Sequence, residues 1–158
     1  MIVSENMSDN FDEKFELYGN MLYRLCMVYL KNTADSEDAV QNAFIKLIYN
    51  APTFKTQFDE QRWLVRVTIN ICKNHLSKAH VKRDLSLESA ENVSYMQEVS
   101  AFDIVEILDK LPDKYKSVIY LHYTEGFTTE EISKILSMGQ SAVKMRLKRG
   151  REILKDYL

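Results

Sequence analysis

Residues 128–150 read TTEEISKILSMGQSAVKMRLKRG, and the order of residue types in this stretch decides how the chain folds. Thr128 and Glu131 have the S/T-x-x-E spacing of a capping box, in which each side chain satisfies a free backbone amide at a helix start. Ile132, Ile135 and Leu136 then share one helical face, and Ser133 is small where a crossing helix presses close. Ser137, Met138 and Gly139 form a short turn, with Gly139 supplying the backbone freedom that the reversal needs. A second helix starts near Gln140 and turns Val143, Leu147 and Leu154 inward. A capped helix, a glycine turn and a second helix make a helix-turn-helix.

Charge says what the second helix meets. Lys144, Arg146, Lys148, Arg149, Arg151 and Lys155 lie within twelve residues, opposed only by Glu152, on a chain whose net charge is −2. With the apolar positions inward, Gln140, Ser141, Lys144, Met145 and Lys148 fall on the outer face near the helix start. In a helix-turn-helix that face enters the major groove of DNA. Arg146, Arg149 and Arg151 flank it, within reach of phosphates.

Outward from this motif the chain stays helical. Pro112 suits the first turn of PDKYKSVIYLHY (112–123), and Gly126 closes that helix in a left-handed conformation. Residues 103–111, DIVEILDKL, have helical period, whereas residues 80–102 have none and read as a flexible linker. In the first half, Phe11, Phe15, Tyr18, Leu22, Leu25 and Tyr29 recur at steps of three and four, one face of a long amphipathic helix. Thr33 or Asp35 caps a second helix with Ala39, Ala43, Phe44, Leu47 and Ile48 inward. Pro52 breaks it, and a third helix runs from about Glu60 to Lys78 with Trp63, Leu64, Val67, Ile71 and Leu76 on its buried side. The fold class is therefore all-α: two small helical domains, residues 1–79 and 103–158, joined by the 80–102 linker.

Composition excludes several classes of function. With four Gly and two Pro the chain has few helix breakers, and a 46% apolar content suffices for packed cores. There is no apolar run of the length that spans a membrane, and the polar, acidic start lacks the pattern of a signal peptide, which points to the cytoplasm. Cys26 and Cys72 sit singly in apolar contexts and read as reduced core residues. His75, His80 and His122 are scattered; there is no metal-ligand spacing, no carboxylate pair with a His and no glycine-rich phosphate loop. No catalytic residue, metal or cofactor is expected.

Residues 111–154, LPDKYKSVIYLHYTEGFTTEEISKILSMGQSAVKMRLKRGREIL, resemble the fourth domain of bacterial RNA polymerase sigma factors, which recognises the −35 promoter element. Gly139 stands where that family often has Ser. DSEDAVQNAFIKLI (35–48) resembles the sigma segment that docks on the clamp helices of the polymerase's largest subunit. The resemblance implies contacts through Asp38, Gln41 and Asn42, the last standing where Glu is common. Their spacing of three and four places them on one helix face. FDEQRWLVRVTINICKNHLSK (58–78) resembles the segment that opens and reads the −10 element, matching at Trp63, Leu64, Val67, Thr68 and Asn70, with Thr68 for the more usual Ala.

Capturing an unpaired base requires a polar pocket, an aromatic or apolar wall, and cations for the backbone. The loop at 50–62 and the start of the third helix supply them. Asn70, Lys73 and Asn74 are the implied readers, and Arg62, Arg66 and Lys78 the phosphate contacts. On helical spacing alone, Trp63 packs in the core beside Leu64 and Val67, while Phe54 and Phe58 stay open between core and pocket wall. Two such domains with a bare linker match the extracytoplasmic-function (ECF) group. The resemblance implies a non-catalytic subunit that gives core RNA polymerase its promoter choice and helps melt promoter DNA, with an anti-sigma partner left open. The alternative is an autonomous helix-turn-helix regulator whose first half senses a signal or dimerises.

Overall fold

The computed structural model describes the backbone of residues 2–85 and 105–157 and the side chains of residues 10–78 and 105–157. The chain divides into two compact units, Met1–Tyr95 and Met96–Leu158. The expected linker falls partly outside the described residues, since 86–102 are not among them. Its first residues, 80–85, are helical. Nothing between Ala79 and Leu85 is Gly or Pro, so no residue there stops the helix.

The first unit is three mutually packed helices: α1 (Ile2–Leu30), α2 (Thr33–Asn50) and α3 (Gln57–Leu85). Tyr18, Leu22, Leu25 and Tyr29 of α1 are buried as their spacing predicts. Phe15 is 44% exposed, although its ring stays 5.2 Å from Phe44 and 5.9 Å from Phe11. Ala39, Ala43, Phe44 and Leu47 face inward from α2.

Two helix starts differ from expectation. Asn32, not Thr33 or Asp35, caps α2: its Oδ1 accepts from the Asp35 amide at 2.8 Å, while the buried Thr33 hydroxyl has no partner. The short, flat asparagine side chain reaches back to the free amides from the residue just outside the helix, where Thr33 is already inside it. α3 begins at Gln57, ahead of Glu60, because Thr56 Oγ1 accepts from the Asp59 amide at 3.1 Å. Glu60 ties that first turn to α1 by an ion pair with Lys14 and a 2.8 Å hydrogen bond from the Tyr18 hydroxyl. Burial first, and then the bond to Glu60, push the Tyr18 phenol well above its ordinary range.

The buried side of α3 also differs. Leu64, Val65, Thr68, Ile69 and Cys72 are buried, and Trp63, Val67, Ile71 and Leu76 are only half-buried. Both stripes are apolar at helical spacing. Packing chooses the first because it can face α1 and α2 together, while Trp63 has a partner of its own in the preceding loop. The buried Thr68 hydroxyl donates to the Leu64 carbonyl at 2.7 Å, so a hydroxyl is accommodated in the core without an orphaned polar atom. Cys26 and Cys72 are free and buried, and the bond with Cys72 together with burial pushes the Cys26 thiol far above its usual range.

In the second unit, a helical turn at residues 105–108 buries Val105 and Leu108. Pro112 caps α4 (Asp113–Ile119), which widens into a π-helical segment, Tyr120–Thr124. Gly126 follows with φ 78°, as expected of a left-handed stop. Thr128 and Glu131 form the full capping box of α5 (Thr129–Leu136), with bonds of 2.9 and 3.1 Å. The turn is made differently from the expectation. Ser137 carries the left-handed conformation, φ 54°, and Gly139 is extended, φ −68°, as the cap of α6 (Gln140–Lys155). The reversal has to come at the first residue past α5, where the Ser137 and Met138 amides can both return to the Ser133 carbonyl; Gly139 lies too far along to do this. The Ser133 hydroxyl adds a 2.8 Å bond to the Met138 carbonyl.

Val143 and Leu147 of α6 are buried, Leu154 half-buried. Gly150 is buried too, at the crossing with α4: a Cβ there would stand 2.8 Å from Ile119 Cγ1 and 2.9 Å from its Cδ1. Gly150→Ala is therefore expected to lower the thermal stability of this unit. Overpacking of about 1–3 kcal/mol exceeds the helix-propensity gain of at most about 1 kcal/mol. Thermal unfolding followed by circular dichroism checks this, and a raised midpoint would contradict it.

Candidate nucleic-acid interfaces

Asn50 ends α2, Pro52 blocks its continuation, and the loop to Thr56 folds back over the start of α3. Between loop and helix lies a cavity of about 530 Å³. Pro52, Thr53, Phe54 and Lys55 form one wall; Trp63, Val67 and Asn70 form the other; Asp59, Arg62 and Arg66 complete its lining. The Phe54 and Trp63 rings are 5.8 Å apart at 59°, a tilted aromatic pair. Trp63 is thus a cavity wall and not the core anchor that spacing implies. Phe54 lines the cavity from the facing wall, and Phe58 does not line it. Arg62 has a long 3.9 Å contact with Asp59 in a half-exposed setting, which holds it weakly.

Of the residues singled out for the −10 element, Arg62, Arg66 and Asn70 come together here. Lys73, Asn74 and Lys78 are exposed farther along α3 and line no part of the cavity. Arg62, Arg66, Asn70, Asn74 and Lys78 nevertheless succeed one another at steps of four, so they form one ridge leading away from it. Lys55 is a further cation in the lining that the sequence reading did not single out. Its signal was its place beside Phe54 in a proline-led loop.

Asp38, Gln41 and Asn42 are exposed together on α2, opposite Ala39, Ala43 and Leu47. The same face continues through Ile45 and Tyr49, which are 51% and 73% exposed. This apolar extension was not evident from the polar residues alone.

On α6, Gln140, Ser141, Lys144, Met145 and Lys148 are exposed, with Met145 54% accessible. The arginines beside them are partly engaged within the unit. Arg146 reaches the Lys114 carbonyl at 3.5 Å, and Arg151 donates to the Tyr123 hydroxyl at 3.0 Å. Burial of the Tyr115 ring raises its phenol, but the hydrogen bond from Arg149 and the charge of Lys114 outweigh this, so the group ends below its ordinary value. A guanidinium has five N–H donors, so each arginine keeps charge and donors for a phosphate while its stem is steadied. Among the described residues no group of His, Cys, Asp or Glu could hold a metal ion, and no helix is long and apolar enough to cross a membrane.

The chain matches two family models in order: Sigma-70 region 2 over residues 15–81 and Sigma-70 region 4 over residues 101–154. It is 31% identical, over 99% of its own length and 92% of the relative's, to the ECF RNA polymerase sigma factor SigW of Bacillus subtilis. The chain belongs to the ECF sigma factors of the sigma-70 family. As a sigma factor it directs promoter-specific transcription, and a match across both halves disfavours an autonomous regulator with an unrelated first half. Another similar protein is SigV of Bacillus subtilis, 30% identical over 86% of this chain and 83% of that one. The fold resembles that of the sigma factor RpoE of Bartonella quintana, solved with the anti-sigma factor NepR, with a TM-score of 0.73 at 18% identity, covering 93% of this chain and 95% of that one.

The position of Trp63 in this sigma factor gives a separable prediction. Trp63→Ala is expected to weaken binding of single-stranded −10 DNA by the chain assembled with core polymerase, by about 1–3 kcal/mol, the value of one base–aromatic stack. The free chain should lose much less stability than the roughly 3–5 kcal/mol of a core tryptophan deletion. A stability loss of that size with unchanged DNA binding would return Trp63 to the role of core anchor.

Proposed function

We propose that this sigma factor is a non-catalytic, dissociable subunit of core RNA polymerase that works in the cytoplasm through three separate surfaces. The exposed α2 face, Asp38, Gln41 and Asn42, docks on the polymerase clamp helices. The cavity between the 51–56 loop and α3 takes a base unpaired from the −10 element: Phe54 and Trp63 stack on it, Asn70 offers an amide to its edge, and Lys55, Arg62 and Arg66 neutralise the flanking phosphates. Lys73, Asn74 and Lys78 carry the strand onward along α3. The start of α6 enters the major groove of the −35 element, with Gln140, Ser141, Lys144, Met145 and Lys148 toward bases and Arg146 and Arg149 toward phosphates.

The observation that carries this reading is the cavity, which joins an aromatic pair, an amide and three cations in a unit that also bears a region 2 match. The net charge of −2 fits the same reading, because a mildly acidic chain binds DNA poorly alone and draws most of its affinity from polymerase. An anti-sigma partner, the class of protein bound to RpoE in its solved structure, belongs to the proposal as the means of keeping these surfaces idle.

Run-off transcription with core polymerase and genomic promoter fragments tests the proposal. Discrete transcripts are expected only when core and chain are both present. Tight duplex binding by the chain alone, with no transcripts, would favour the autonomous regulator. For the docking face, Asp38→Arg is expected to weaken core binding by about 1–3 kcal/mol with an unchanged circular dichroism spectrum. Unaltered affinity in a pull-down titration would remove Asp38 from the interface.

A further inference from the structure

The two helices of the helix-turn-helix are joined at their first residues. Gln140 Nε2 donates to Thr129 Oγ1 at 2.9 Å. The bond is not part of either helix cap. α5 is capped by Thr128, whose hydroxyl is taken by the Glu131 amide, and the α6 cap is Gly139, which has no side chain. Gln140 is exposed and Thr129 half-buried, so the bond lies at the surface where α6 begins.

Its chemical consequence concerns the rest of the Gln140 amide. One Nε2 hydrogen is held by Thr129, which leaves the second hydrogen and Oε1 in a plane set by the protein. A donor and an acceptor side by side in one plane match the N7 acceptor and N6 donor that adenine presents in the major groove. An unanchored glutamine would have to lose its rotamer freedom when DNA binds; a bond formed beforehand removes part of that cost. We infer that Thr129 is a specificity-positioning residue: it presets the Gln140 amide for an A·T pair in the −35 element without itself touching the base. This rests on the proposed entry of α6 into the −35 major groove.

The test uses holoenzyme assembled from core polymerase and wild-type, Gln140→Ala, Thr129→Val or Thr129→Ser chains, selecting from promoters randomised across the −35 element. Valine keeps the shape of threonine without its hydroxyl; serine keeps the hydroxyl. The wild-type chain is expected to prefer A·T at one position, and Gln140→Ala to lose that preference. Thr129→Val should reduce it by about three- to tenfold at that position alone, the worth of one neutral hydrogen bond, with Thr129→Ser close to wild type. If Thr129→Val keeps the wild-type preference where Gln140→Ala loses it, the positioning role is wrong and the base-reading role of Gln140 stands. If Gln140→Ala changes no position, Gln140 reads no base and the inference fails with that part of the −35 reading. If Thr129→Val lowers binding to all sequences equally, or lowers the melting midpoint, the residue is structural and the inference is overturned.

Discussion

Leu64, Val65, Thr68, Ile69 and Cys72 turn inward together, and their burial settles where every other residue of α3 must point. Each large apolar side chain taken out of water contributes about 1.5–3 kcal/mol, whereas an exposed ion pair contributes roughly 0–1 kcal/mol. The apolar stripe therefore sets the rotation of a helix, and its charged residues occupy what is left. On α3 the remainder is Arg62, Trp63, Arg66 and Asn70, which face the loop and enclose a cavity. On α2, burial of Ala39, Ala43, Phe44 and Leu47 leaves Asp38, Gln41 and Asn42 exposed. On α6, burial of Val143, Leu147 and Gly150 leaves Gln140, Ser141, Lys144 and Lys148 exposed. Each proposed contact surface is the back of a core-facing stripe.

Rotation alone does not set the height and tilt of a helix, and here short polar and steric devices take over. Glu60 holds the start of α3 to α1 through Lys14 and Tyr18, which fixes the helix that walls the cavity. Ser133 gathers the backbone of the turn before α6 through its carbonyl and its hydroxyl. Gly150 lets α6 approach α4 closely enough for Val143 and Leu147 to reach the core of that unit. The arginines of α6 lean on Lys114, Tyr115 and Tyr123, so the basic side of the helix is partly ordered by its own unit.

Much of this was legible in the sequence because it rests on period and local chemistry. The capping box at Thr128, the left-handed Gly126, the α1 and α2 stripes and the exposed faces of α2 and α6 all follow from spacing within a few residues. What escaped depends on contacts between distant segments. Two apolar stripes compete on α3, and only the loop around Phe54 shows why Trp63 is released from the core. Gly150 looks like a weak point in a helix until Ile119 is found against it. Asn32 and Ser137 are local, yet neighbouring residues competed for the same roles, Thr33 through its hydroxyl and Gly139 through its backbone freedom. Lys55 and the Thr129–Gln140 bond needed the turn geometry that brings them to their partners.

The central claim is that two DNA-reading surfaces on separate units act on one promoter while both are held by polymerase. Their sites then have to keep one angular relation around the duplex. The measurement is transcription from a cognate promoter with about five base pairs inserted between its −35 and −10 elements, which turns one element by about half of the 10–10.5 base-pair helical repeat. With both surfaces in use, transcript levels should collapse and should return in part when a full turn is inserted. Equal transcript levels from the original and the five-base-pair promoters would contradict the account.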